Sequence, residues 1–119
     1  MATEITQDLF LTEHIGWLTK LDSSKSYFKE LELQLQVGLK EFTQARLMPQ
    51  VESFQNRFIR QKEVIDELRH EIKQHENHLQ QLDQPAHLLL LTHSNLRDQF
   101  NRFIELFVEL ERDFDEFLA

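Results

Sequence analysis

The chain has no cysteine, only two glycines and two prolines, and no stretch where basic residues gather. Without thiols it has neither a disulfide framework, nor a thiolate metal site, nor a cysteine nucleophile, and this fits a reducing compartment. So few glycines and prolines leave a loop-rich or all-β fold short of material for its turns. Thirteen lysines and arginines stand against 21 aspartates and glutamates, a formal charge of -8. That field repels phosphate backbones and anionic lipid, so neither nucleic acid nor a membrane is expected as a partner. Long apolar runs are missing too. The longest, Leu88 to Leu91, cannot span a bilayer, and the opening "MATEITQDLF" lacks the basic and apolar regions of a secretion signal. A cytoplasmic location follows as the expectation.

What is present is helical periodicity. The 119 residues suffice for one domain, 1–119. A residue before proline is driven out of the α region, so Met48 and Gln84 mark helix ends, and Pro49 and Pro85 suit the first turns that follow. Between them Val51, Phe54, Phe58, Gln61, Ile65, Leu68, Ile72, His75, Leu79 and Leu82 alternate steps of three and four without a slip, which is a coiled-coil seam. A second seam runs Ala86, Leu89, His93, Leu96, Phe100, Phe103, Phe107, Leu110, Phe114, Phe117, widened by Ile104 and Val108.

The first segment carries its own seam: Phe10, His14, Trp17, Leu21, Ser24, Phe28, Leu31, Leu35, Gly38, Phe42, Ala45. It crosses "LDSSKS", where serines favour caps over helix interiors, yet the phase does not reset. The expected fold is therefore all-α, a coiled-coil-like antiparallel three-helix bundle with helices at about 5–47, 50–82 and 86–118. It resembles spectrin-like and other antiparallel three-helix bundles in architecture. One alternative is a four-helix bundle with a break near Ser23, and another is a single kinked helix in an elongated oligomer, since the seam also stays in phase across Pro85.

Short connections make neighbouring helices antiparallel, and the seams then align in registers one heptad apart. Centring the reversals on Gln84 and Met48 gives layers of Phe42, Phe54 and Phe114 near one end, Leu31, Ile65 and Phe103 in the middle, and Leu21, His75 and His93 towards the other. Trp17, Leu79 and Leu89 form the layer beyond.

That register makes His75 and His93 the sharpest chemical feature. On a helical wheel Glu71 and His78 sit beside His75 at the edge of the seam, so His75, His93, His78 and Glu71 together form a candidate site for zinc or another divalent metal, with nitrogen and carboxylate donors. Two imidazoles can equally bond each other as a polar layer that fixes register at a cost in stability, or titrate as a pH-sensitive element. His70 points away from the seam. Glu67 with His70 makes one Glu-x-x-His pair where ferritin-like carboxylate proteins use two, and no histidine is followed by the His-x-x-x-Glu spacing of hemerythrin-like oxygen carriers.

No phosphate-cradling glycine loop or nucleophilic constellation is present, so the chain is not expected to be an enzyme. No cofactor is required. The primary expectation is a non-catalytic bundle acting in protein–protein interaction or scaffolding, as a homo-oligomer or with a protein partner. The alternative is a metal-binding or pH-responsive bundle centred on His75 and His93.

Overall fold

The computed structural model describes residues 2–39 and 47–119. Three helices, α1 (Ala2–Leu39), α2 (Met48–Gln81) and α3 (Ala86–Leu118), account for nearly all of them. Both α1 and α3 pack against α2, forming a three-helix rod with extents of 63 × 19 × 18 Å. Among the described residues no helix is long and apolar enough to cross a membrane.

α1 is continuous through the serine-rich stretch, so the four-helix alternative does not hold. Ser23 Oγ donates to the carbonyl of Lys20 at 3.0 Å, one turn back, and Ser24 is buried on the seam. Serines that turn their hydroxyls onto the preceding turn can stay inside a helix whose neighbours are packed. The expected extension of this helix to residue 47, with Phe42 and Ala45 on its seam, falls on residues 40–46, outside the described ones.

The α2–α3 connection shows why the chain reverses there. Leu82 takes the left-handed conformation (φ 51, ψ 38), and its N–H bonds the His78 carbonyl at 2.9 Å, closing α2. Pro85, extended at ψ 148, offers its carbonyl to the N–H groups of Leu88 and Leu89 and starts α3. This excludes one kinked helix running through Pro85. Pro49 lies in the first turn of α2, where its missing N–H costs nothing.

Every seam position from Val51 to Leu79 is buried, whereas Leu82 and Ala86, expected as the last and first members of their seams, are exposed at the turn. Between α2 and α3 the expected register holds: Phe54 meets Phe114 with ring centroids 5.3 Å apart, and His75 meets His93 at 5.5 Å.

Against α1, however, the register is one heptad away from expectation. Phe28 packs on Phe107 at 5.2 Å instead of facing Phe100, and His14, not Leu21, lies beside His75 and His93. Heptad-spaced registers are nearly degenerate for apolar residues, so the polar ones decide. In the expected register His14 would face Leu82 and Ala86 alone; in the observed one its Nε2 lies 3.2 Å from ring nitrogens of both His75 and His93. Bridges from Asp22 to Arg69 (2.9 Å), Lys25 to Asp66 (2.8 Å) and Glu32 to Lys62 (2.6 Å) agree with it. Such surface pairs contribute about 0–1 kcal/mol each and follow the core more than they set it.

The core is consequently in two parts. A long cluster runs from Trp17, Ile72 and Leu96 to Leu35, Phe54 and Phe114. Phe10, Leu79 and Leu89 form a small separate cluster near the α2–α3 turn. The three histidines lie between the two.

A three-histidine candidate metal centre

Each helix contributes one histidine because the three-four rhythm places His14, His75 and His93 on the inward seams of α1, α2 and α3. All three are essentially inaccessible, at 0%, 1% and 1% exposure. His14 Nε2 lies 3.2 Å from His93 Nδ1 and 3.2 Å from His75 Nδ1, so three ring nitrogens converge within 4.8 Å of one another. Aromatic rings close the layer on both sides. Phe10 stacks on His93 at 3.7 Å, while Trp17 stacks on it at 4.9 Å and tilts against His14 at 5.4 Å.

The outward nitrogens have their own partners. His75 Nε2 is 3.0 Å from the carbonyl oxygen of Leu89, in the first turn of α3. His93 Nε2 is 3.2 Å from Glu13 Oε1, and Arg97 holds that carboxylate through Nη2 at 2.7 Å and Nε at 3.2 Å. His14 Nδ1 lies 3.3 Å from Glu76 Oε1, close enough for an ion pair though not aligned as a hydrogen bond. The Arg97 guanidinium holds the Glu13 carboxyl below its ordinary value, so Glu13 is an anion and accepts.

These partners determine where the protons sit. A carbonyl or carboxylate oxygen only accepts, so His75 and His93 each carry the proton on Nε2 and turn an Nδ1 lone pair to the centre. His14 then has no neutral form that suits every neighbour. With its proton on Nε2 it serves the centre and sets a bare Nδ1 lone pair against the Glu76 carboxylate. With its proton on Nδ1 it faces Glu76 correctly and leaves three lone pairs pointing at one another. The doubly protonated ring would suit both sides, but burial first, and His75 and His93 second, push its pKa down to about 4. Burial also lowers His75 and His93, opposed at His75 by the Leu89 carbonyl and at His93 by Glu13.

A divalent cation at the centre removes the conflict. Three lone pairs become ligands, and three N–H groups point outward to Leu89, Glu13 and Glu76. Ligating histidines characteristically donate their second nitrogen to a carboxylate or backbone carbonyl in this way. In a tetrahedral zinc site with Zn–N of about 2.0–2.1 Å, neighbouring nitrogens lie roughly 3.3 Å apart, and the two shorter separations here are 3.2 Å.

Of the residues the sequence proposed, His75 and His93 meet in one layer, while His78 and Glu71 are not in it. His78 Nδ1 bonds Asp83 Oδ1 at 2.9 Å near the end of α2, and Glu71 is exposed. Both lie at the edge of the α2 seam, and the place nearest the centre is filled by His14 of α1. His14 was legible as a seam residue; only the α1 register hid its membership. His70 and His87 are exposed. No protein family, curated protein or solved structure matches the chain.

Proposed function

We propose that the chain is a helical bundle that binds one divalent first-row transition-metal ion, of which zinc is the type, through His14, His75 and His93. The observation that carries this reading is the proton conflict at His14, which a cation resolves and neither neutral tautomer does. Imidazole suits zinc, copper, nickel and iron, whereas calcium and magnesium require oxygen donors. With ligands at 0–1% exposure between aromatic rings, the role of the ion is architectural, tying three helices together, and not catalytic.

The test is a thermal melt of chelator-stripped protein with and without Zn(II), Co(II) or Ni(II). A ligand at about one hundred times its dissociation constant stabilises by about 2.7 kcal/mol. That stabilisation is expected for the native chain and lost in His14→Ala, with His70→Ala unaffected. No shift with any of the three metals, or an equal shift in His14→Ala, sinks the reading.

A second reading, protein–protein interaction or self-association, is supported by apolar residues left exposed around the same end: Leu9 and Ile15 on α1, Leu90 and Leu91 on α3. Large exposed apolar side chains that cluster mark contact surfaces. Sedimentation showing only monomer at micromolar concentration, with no partner recovered from extract, counts against it. A reducing, cytoplasmic compartment is proposed with either reading, and the support for it is a sequence without cysteine.

A further inference from the structure

A centre this deeply buried must be reached between two helices, and the three seams at this level differ. The α1–α3 seam is bolted by Glu13, whose carboxylate is gripped by Arg97 and His93 together. The α1–α2 seam carries the His14–Glu76 contact, with Gln7 donating to the Leu79 carbonyl above it and Asp22 bridged to Arg69 below. The α2–α3 seam is open. A groove of about 280 Å³ lies there, and His75 itself forms part of its wall, beside Glu71, Gln74, His78, Asn95 and Gln99. Every one of these side chains offers an oxygen or nitrogen that can replace part of an ion's water shell, and Glu71 supplies negative charge.

We infer that the α2–α3 groove is the route by which the metal reaches the three-histidine layer, with Glu71 and His78 as transient capture ligands that hand the ion to His75. This rests on the metal-binding reading above. It gives Glu71 and His78, which do not enter the layer, a role in delivery: they change how fast the ion arrives and leaves, and not how tightly it is held. The hand-over itself is a turn of the His75 ring. The unprotonated Nδ1 swings out to meet the ion in the groove and carries it back to the centre as the Nε2–H returns to the Leu89 carbonyl.

The experiment follows Co(II) uptake by the stripped full chain in stopped flow, through the visible absorption of the bound ion, and its removal by excess chelator. A carboxylate at a channel mouth raises cation on-rates by about tenfold or more. The double variant Glu71→Gln/His78→Gln is therefore expected to load and to release about tenfold more slowly, leaving Kd unchanged within about twofold. Glu105→Gln, an exposed carboxylate paired with Arg102 on α3, is the control and is expected to match the native rates. Unchanged rates in the double variant overturn the proposal. A weakened Kd with an unchanged loading rate also overturns it, because Glu71 and His78 would then be ligands of the bound ion. Absence of any uptake by the native chain is a separate result: it rejects the metal reading itself, and the route with it.

Discussion

Acid should destabilise the metal-stripped bundle in a pH range where few other groups respond. His14 has an unfolded value of 6.5 and is pushed down to about 4 in the fold, so between these values the unfolded chain binds a proton that the folded chain refuses. Stability then falls as pH drops through 6.5 towards 4, at up to about 1.4 kcal/mol per unit. Moving from pH 7.5 to pH 5 removes about 2 kcal/mol through His14 alone, with further losses in the same direction from His75 and His93, whose folded values are also lowered. Glu13 is lowered from 4.5 by Arg97, so its loss comes only at lower pH and leaves this window to the histidines. The assay is urea unfolding in the presence of a chelator, read by helix circular dichroism at several pH values, or a melting curve in which 2 kcal/mol appears as a midpoint shift of about 8 °C. A flat profile between pH 7.5 and pH 5 refutes the argument. So does a His14→Leu variant with the native slope, since the largest share of the slope is assigned to that ring.

Three further outcomes follow from particular side chains. Gln61 is buried with its Nε2 unpartnered, so Gln61→Leu is expected to raise stability by about 1–2 kcal/mol in chemical denaturation; destabilisation would mean that the amide is satisfied in solution. Leu82 is exposed and held at φ 51, a conformation that favours glycine, so Leu82→Gly is expected to gain about 1 kcal/mol. Trp17, the chain's one tryptophan, stacks 4.9 Å from His93, so Co(II) or Ni(II) binding is expected to quench its emission in proportion to occupancy; emission unmoved while absorption reports a bound ion would place the metal elsewhere.

Helix periodicity made most of the fold legible. The seams of α2 and α3 could be read residue by residue, since a three-four rhythm on a helix has one inward face. Their mutual register could be read too, because Pro85 stops the preceding helix by Gln84 and leaves little freedom in where the reversal lies. At the α1–α2 connection the centre was placed by Pro49, which fixes where α2 begins but not how many residues precede it, and the α1 layers came out one heptad away. That single displacement moved His14 from beside Leu82 and Ala86 to beside His75 and His93. The candidate site was therefore two-thirds readable from sequence, and its third member followed only from packing. His78 and Glu71 were drawn in because a helical wheel shows angular proximity on one helix and cannot show which neighbouring helix fills the space.

The division of the core has a consequence for cooperativity. Beyond the histidine layer the buried apolar residues among those described are Phe10, Leu79 and Leu89, which hold the first turns of α1 to the α2–α3 hairpin, while the long aromatic cluster lies wholly on the other side. A polar septum with a small apolar cap beyond it is the arrangement in which one end of a rod opens as its own unit, exchanging its amide hydrogens faster than the remainder. An ion bound in the septum would join the two units into one, so amide protection at that end would report metal occupancy.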